Sequence, residues 1–166
     1  MGIRFKMKPE EVWIGADDEI FDKSELGDFP SEERKKIRFL IYPLTQSLLK
    51  EVTEKHTKRK TETIFIDGRR ETQKVETPDR EAINNEIIDR VVKQWNGLKD
   101  EDGKELECNT ENKLALMEGY PMLGACWMEA ARWAMSKFEE FQTRHKEKHS
   151  KNSRTSQVGL EDDKKK

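Results

Sequence analysis

The chain has 166 residues, of which 40% are charged and 33% hydrophobic, and its formal net charge is −2. This length suits one domain with a small core, in which polar segments stay solvated or await a partner. The near-neutral charge argues against a protein held on nucleic acid by bulk charge, because non-specific DNA binding relies on an excess of Lys and Arg.

Cysteine usage and hydropathy favour an intracellular protein. Cys108 and Cys126 form no CxxC pair and no disulfide framework, so reduced thiols in the cytoplasm are expected. No apolar run approaches the length of a membrane span. Lys6 and Lys8 are followed by no apolar stretch, so the N-terminus does not have the pattern of a signal peptide. We therefore expect a cytoplasmic protein without a membrane partner.

The first segment of the chain alternates weakly between apolar and polar residues. Residues 2–29 predict short extended segments that are broken at Pro9 and at Gly15. The acidic cluster 17–19 could hold a hard cation only if oxygen ligands converged on it from several directions. A lone acidic run is more often a solvated turn, and that is the interpretation adopted here.

A strand is predicted over residues 35–42. Ile37, Phe39 and Ile41 share one face of it, and Pro43 ends it because proline has no N–H to join a ladder.

Thr45 is a candidate N-cap for the next helix, which is predicted to run to about His56. The basic run 55–60 would close this helix favourably at its negative end. His56 is interpreted as a solvated residue of the last turn, although a metal or proton role stays open.

Residues 61–77 predict a β-hairpin, because Asp67-Gly68 is a strong hairpin turn signal. The returning arm, residues 70–75, is very polar and is therefore expected to be an exposed or edge strand. Its charges guard against unwanted pairing, or the same edge binds a partner.

Four apolar residues spaced four apart predict a long amphipathic helix after the hairpin. They are Ile83, Ile87, Val91 and Trp95. Thr77 is the predicted N-cap and Pro78 the first helical residue. Gly97, which is free to adopt a left-handed conformation, is the predicted stop.

An acidic turn at residues 100–103 lies between Leu98 and Leu106, which predicts a small loop or hairpin. Aligned with a calcium-binding EF-hand loop, the turn places Leu98 and Asn109 at the two end ligand positions. Neither fits that alignment, so this is not an EF-hand. Asn109 or Thr110 is then the predicted cap of a short helix.

The last helix is predicted to begin near Pro121 and to carry one apolar stripe. The stripe comprises Leu123, Cys126, Trp127, Ala130, Ala134, Phe138 and Phe141. Trp133 lies off its centre and is placed in the core or in a subunit contact. His145 and His149 have a spacing that suits a metal on one helical face, but no third ligand lies near them, so solvated side chains are expected.

The sequence therefore predicts an α+β fold, mainly α-helical, with a small antiparallel sheet or hairpin from the N-terminal half. Residues 1–142 are expected to form a single compact domain, strand-rich over 1–77 and helical over 78–142. Residues 143–166 are expected to be a frayed helix end and a disordered polar tail.

Catalytic and cofactor motifs are missing from the sequence. It contains no Gly-rich phosphate loop, no GxSxG and no cysteine in a recognisable catalytic context. Two of the three histidines lie in the predicted tail, and nothing singles out a pair of carboxylates as acid and base. We therefore expect a protein that is not an enzyme and has neither a cofactor nor a metal site.

The region from Asp79 to Ala134 resembles the tail assembly chaperones of long-tailed, siphovirus-type bacteriophages. These proteins often carry an amphipathic helix ending in Trp-x-Gly, then an Asp-rich turn with Gly, a Leu, and a helix opened near Glu-Asn. The corresponding residues here are Trp95, Gly97, Asp100, Asp102, Gly103, Leu106, Glu111 and Asn112. The passage from Ile37 to Val52 and the sequence Lys151-Asn152-Ser153 are also similar to parts of the family, whereas the hairpin 61–77 looks like an addition.

The resemblance implies a non-enzymatic cytoplasmic chaperone that binds the phage tape measure protein and keeps it soluble. It implies further that the protein helps to recruit tail tube subunits, forms a homo-oligomer and is absent from the mature virion. An apolar groove between helices would take an amphipathic helix of the client, and adaptable Met and aromatic side chains would line it. The candidate groove residues are Met122, Trp127, Met128, Trp133, Met135 and Phe138.

Two other classes of protein stay open at this point. One is a non-catalytic structural tail or head-completion protein of a phage or prophage, which would remain in the particle. The other is a small nucleic-acid-binding regulator that uses the basic C-terminal tail. The near-neutral charge and the lack of a helix-turn-helix spacing weigh against the regulator.

Overall fold

The computed structural model describes residues 8–21 and 33–158 of the chain. The strands are β1 (Val12–Gly15), β2 (Arg38–Ile41), β3 (Thr57–Ile66), β4 (Arg69–Pro78) and β5 (Val92–Asn96). The α-helices are α1 (Gln46–Lys55), α2 (Arg80–Val91), α3 (Thr110–Gly119) and α4 (Pro121–Val158), and a short 3-10 helix covers Arg34–Lys36. The predicted α+β class, mainly helical with small antiparallel sheets, is confirmed.

The core forms where α4 crosses a three-stranded antiparallel sheet of order β1-β2-β5. Phe39 of β2 is fully buried and lies between Ile14 of β1 and Trp95 of β5 in the ladder. Trp127 of α4 packs on this row, edge-on to Phe39 at 5.5 Å between ring centroids and stacked on Trp95 at 6.2 Å. The residues predicted to share one face, Ile37, Phe39 and Ile41, are all buried, although the strand is shorter than the predicted 35–42.

The long helix predicted to reach Trp95 ends at Val91, and the prediction for Trp95 is wrong. Val92 turns to an extended conformation, and the chain continues as β5, antiparallel to β2. The amide of Tyr42 donates to the Val91 carbonyl at 2.7 Å, so the sheet takes hydrogen bonds that a helix would have used internally. Two successive β-branched valines favour this change. The third strand of the sheet thus comes from the half of the domain predicted to be helical.

The predicted cap of α1 is confirmed, whereas the predicted cap of α2 is wrong. Thr45 caps α1 by accepting the Leu48 amide at 3.1 Å, as predicted. Thr77 does not cap α2; Asp79 does, by accepting the Ala82 amide at 3.1 Å. Thr77 is unavailable because β4 runs on to Pro78, pairing with the first residues of β3.

The predicted hairpin forms and is longer than expected. Asp67 and Gly68 make its turn with φ of 51° and 76°, the left-handed values that a two-residue hairpin loop requires. The ladder runs from Ile66 opposite Arg69 back to Thr57 opposite Pro78. Of the basic run 55–60, Lys55 lies in the last turn of α1 as predicted, whereas the residues from Thr57 onward belong to β3 and its ladder.

Helix α4 runs from Pro121 to Val158 and so extends past residue 142, the predicted end of the compact domain. Lys, Arg, Glu and Gln are good helix formers, so the residues past 142 extend the helix without an apolar stripe of their own. The disordered polar tail stays a prediction. Residues 159–166, like residues 1–7 and 22–32, lie outside the described part of the chain, and so do the segments predicted there.

Candidate functional site

The residues that carry the sequence resemblance form one elbow between β5 and α3. Trp95 holds the two sides together, because its indole Nε1 donates to the Leu106 carbonyl at 2.7 Å. The Leu106 amide in turn donates to the Leu98 carbonyl at 2.8 Å. Gly97 has φ of +83°, and a Cβ there would lie 2.3 Å from the Lys36 carbonyl oxygen, so only glycine lets the elbow approach the core this closely.

The side chain of Asp100, the first residue of the acidic turn, stabilises the turn. Asp100 Oδ1 accepts the amides of Asp102 at 3.0 Å and Lys104 at 2.8 Å, which is an Asx turn. Gly103 completes the reversal with φ of +77°. The predicted small hairpin at this turn is confirmed by the bridge that pairs Lys99 with the residue following Lys104. Asp100 is therefore engaged by backbone amides within the turn.

Two asparagines fix the entry of α3 beyond the elbow. Asn109 is the N-cap, as predicted, and accepts the Asn112 amide at 2.8 Å. Asn112 Nδ2 donates to the Glu107 carbonyl at 2.8 Å. Lys113, only 6% exposed, then donates to both the carbonyl and the carboxylate of Asp89 on α2. The elbow thereby sets the position of α3 against α2.

The six candidate groove residues do not form a single surface. Trp127 of α4 is fully buried against the three-stranded sheet, so its assignment to an open groove is wrong. It packs there because the side chain of Trp95, projecting from β5, supplies the opposing ring. Trp127 Nε1 is buried and has no hydrogen-bond partner among the described residues, which accords with a role in packing.

The other five candidates divide between the two flanks and the far end of α4. By helical periodicity Met128 and Met135 lie on one side of the buried stripe, and Met122 and Trp133 lie on the opposite side. Phe138 continues the stripe itself beyond the sheet. Sequence spacing revealed the excess of Met and aromatic residues but did not separate these three positions.

A groove of about 560 Å³ lies between α2, α3 and α4. Ile88, Met117 and Met128 supply its larger apolar side chains. Gly124 forms the point of closest approach, since a Cβ there would lie 2.8 Å from the sulfur of Met117 and 3.2 Å from Ile88 Cδ1. Sequence reasoning missed all of these except Met128, and the available signal was the lone glycine in the first turn of a helix.

A second, smaller groove of about 160 Å³ lies between β1 and the far part of α4. Val12, Ala134, Phe138 and Phe141 line it, with Glu10 at its edge. Phe141 is 47% exposed, because the helix here has run past the sheet that covers its stripe elsewhere.

Charged residues converge where α1, α2 and the root of the hairpin meet. Glu86 accepts hydrogen bonds from Lys55 at 2.8 Å and from Arg90 at 2.7 Å, and it also contacts the ring nitrogen Nε2 of His56. These partners, Lys55 first, lower the pKa of Glu86 from 4.5 to about 2. These contacts occupy both oxygens of the Glu86 carboxylate, which therefore links α1 to α2 where β3 begins.

No group of three or more His, Cys, Asp or Glu side chains in the described ranges could hold a metal ion. Burial raises the pKa of the Cys108 thiol, which is the opposite of nucleophile activation. None of the helices in the described part of the chain combines the length and apolar composition needed to cross a membrane.

Comparison of the chain with protein-family models, with curated proteins and with solved structures gave no match.

Proposed function

We propose that this chain is a tail assembly chaperone of a long-tailed phage, which acts in the cytoplasm by binding the tape measure protein and keeping it soluble. The observation that carries the proposal is the elbow. Most of the residues on which the sequence resemblance rests take part in the hydrogen bonds and turns that hold residues 95–112, so the resemblance follows a structural unit of this chain.

The proposed client site is the groove between α2, α3 and α4, named here the methionine groove. Ile88, Met117 and Met128 give it an apolar floor, and methionine adapts to varied side chains. Glu129 and Arg132 form an ion pair of 3.3 Å at its rim. An amphipathic helix of the client would place its apolar stripe on the floor and its polar flanks on this rim.

The elbow has a direct part in this proposal, because it positions one wall of the methionine groove. Met117 lies on α3, whose orientation depends on the Asn109 cap, on the hydrogen bond from Asn112 to the Glu107 carbonyl and on the bonds from Lys113 to α2. A change in the elbow would therefore shift Met117 against Gly124. This links the residues of the resemblance to the client surface.

The test is co-expression with the product of the longest helix-rich open reading frame just downstream in the source genome, which the proposal identifies as the tape measure protein. We expect the client to remain soluble and to co-purify with the wild-type chain. Ala125 is exposed at the edge of the methionine groove, so Ala125→Arg fills the groove with little disturbance of the core. Ala115 is exposed on α3 outside the lining of that groove, so Ala115→Arg is the matched control.

We expect Ala125→Arg to lose the client and Ala115→Arg to retain it, with both variants folded by circular dichroism. Equal retention by the two variants would refute the methionine groove as the client site. An insoluble client with the wild-type chain would refute the chaperone function itself. Mass spectrometry of purified particles then distinguishes the alternative, because a structural tail or head-completion protein would be present in them and a chaperone would be absent.

A further inference from the structure

The hairpin of β3 and β4 is exposed and carries an excess of positive charge. Along both strands every side chain is exposed except Thr57, Ile64 and Val75, which are partly buried. The two strands contain six Lys or Arg residues and three Glu, and the turn adds Asp67. The whole chain has a net charge of −2, so its near-neutral total conceals one segment whose local charge attracts anions.

The strand register divides the acidic residues of the hairpin between its two faces. Side chains alternate along a strand, and directly paired residues share a face. Glu62 and Glu71 therefore lie on the face that carries Ile64. The strands place a single Glu, Glu76, on the opposite face, and Arg59 neutralises it in an ion pair of 2.9 Å. This second face is therefore net positive.

The net positive face, named here the Phe65 face, combines an aromatic ring with cations and hydroxyl groups. Phe65 is 67% exposed, and the Arg70 guanidinium lies 5.6 Å from the centroid of its ring. Lys74 is exposed on the same face, and neither Arg70 nor Lys74 forms an ion pair among the described residues. Exposed threonines also lie on this face, namely Thr61, Thr63 and Thr72. The aliphatic residues of the hairpin, Ile64, Ile66 and Val75, lie on the opposite face, so the Phe65 face offers no aliphatic floor to an amphipathic helix.

We propose that the Phe65 face binds single-stranded nucleic acid. A base stacks on the exposed Phe65 ring, where Arg70 adds a cation–π contribution, and Lys74 and the threonine hydroxyls bind phosphates. The strand is single, because a base in a duplex is already stacked on its neighbours and is not available to the ring. RNA and DNA share this chemistry. The methionine groove lies between α2, α3 and α4 and contributes nothing to this face, so nucleic-acid binding and client binding are separable.

The experiment measures the fluorescence anisotropy of labelled oligonucleotides of about 12 nucleotides, titrated with the full chain without client. Single-stranded RNA, single-stranded DNA and a duplex of the same sequence are compared at salt concentrations from about 50 to 200 mM. We expect both single strands to bind more tightly than the duplex, and binding to weaken as salt rises. The tighter of the two single strands then identifies the natural ligand as RNA or DNA. Absence of single-strand binding at the lowest salt, or equally tight binding of the duplex, would overturn the proposal.

Phe65→Ala tests the stacking of a base on the ring. It is expected to weaken single-strand binding roughly fivefold to 150-fold, which is the range for the loss of one base–aromatic stack. Ile66→Ala is the matched control, because Ile66 is 46% exposed at the same end of the hairpin and lies on the opposite face. The control is expected to bind like the wild-type chain, with both variants folded by circular dichroism. An equal loss in the two variants would show that the ring has no special part, against the proposal.

Lys74→Gln and Lys60→Gln separate the Phe65 face from the total charge of the hairpin. Both remove one exposed lysine from the hairpin, but Lys60 lies on the opposite face, paired with Val75. Lys74→Gln is expected to reduce the slope of log affinity against log salt by about 0.7, the value for one phosphate contact on a single strand, whereas Lys60→Gln retains the wild-type slope. Equal slopes for the two variants would overturn the proposal. Polyglutamate that displaces the oligonucleotide at an equal concentration of negative charges would assign the face to an acidic peptide, and would equally overturn it.

Discussion

Replacing Gly97 with alanine adds one methyl group and tests whether the fold requires the close approach of the elbow to the core. In Gly97→Ala the new Cβ would lie 2.3 Å from the Lys36 carbonyl oxygen and 2.9 Å from its carbonyl carbon. Cβ atoms are essentially never found within 3.0 Å of another heavy atom, so the backbone must open by at least about 0.7 Å. Neither contact atom belongs to a flexible side chain, so no rotamer change relieves the overlap.

The expected loss of stability combines two effects. A left-handed conformation costs a non-glycine residue about 1–2 kcal/mol. Overpacking against a fixed neighbour adds about 1–3 kcal/mol, and the smaller freedom of alanine in the unfolded chain returns about 0.4–1 kcal/mol. We therefore expect Gly97→Ala to lower the free energy of unfolding by about 3 kcal/mol.

Gly103→Ala and Gly68→Ala isolate the overlap from the conformational effect. Both positions have positive φ, 77° and 76°, but a Cβ at either meets no atom within 4 Å. Each is expected to lose only about 0.5–1 kcal/mol, the conformational cost less the entropic gain. The comparison thus has the same substitution and nearly the same backbone angle, with and without a neighbour.

The assay is urea denaturation of the three variants followed by tryptophan fluorescence, with thermal unfolding as a second measure. A loss of about 3 kcal/mol corresponds to a fall in Tm of roughly 6–12 °C in a domain of this size. If Gly97→Ala falls within about 0.5 kcal/mol of Gly103→Ala, the close approach of the elbow to Lys36 does not limit the fold, and the reasoning is refuted.

Three further predictions concern Glu86 at the root of the hairpin, the cap of α2, and the hairpin of β3 and β4. Because the pKa of Glu86 is lowered to about 2 in the folded chain, its stabilising effect is present above pH 4.5 and is lost as the pH falls towards 2. Glu86→Gln should remove about 1–2 kcal/mol at pH 7 after allowance for solvent screening and flatten acid unfolding between pH 4.5 and 2, unlike the exposed control Glu54→Gln. Asp79→Ala should destabilise by about 1 kcal/mol and Thr77→Ala by less than about 0.5 kcal/mol in chemical denaturation; the reverse order would restore the cap predicted from sequence. Hydrogen exchange should leave the amides of β3 and β4 less protected than those of β2, because the hairpin is largely exposed. Equal protection of the two groups of amides would contradict this.

Most of the confirmed predictions depended only on neighbouring residues in the sequence. Thr45 and Asn109 cap their helices, because a cap needs only a side-chain oxygen and an amide three residues onward. Asp67-Gly68 makes the hairpin, because the turn geometry is local to those two residues. The alternation of Ile37, Phe39 and Ile41 also gave the buried face of β2 directly, since side chains of a strand alternate between two faces.

Predictions that depended on distant residues were incomplete. The spacing of Ile83, Ile87 and Val91 predicted a helix correctly, but the extension of that helix to Trp95 was wrong. The apolar spacing could not show the error, because a strand buries Trp95 as well. Pairing with β2, some fifty residues earlier in the chain, decided for the strand. Distant residues also decided which residue caps α2, because Thr77 is part of β4 and pairs with β3.

The candidate site illustrates the same division. The sequence by itself determined that α4 carries an excess of methionine and aromatic residues on an amphipathic helix, and that an elbow precedes α3. Only the tertiary structure placed Trp127 in the core and Met128 opposite Met117 across Gly124. The physical reason is that a periodic pattern specifies which residues share a face, whereas a groove is made by the distance between elements, and that distance is set by side chains far apart in the chain.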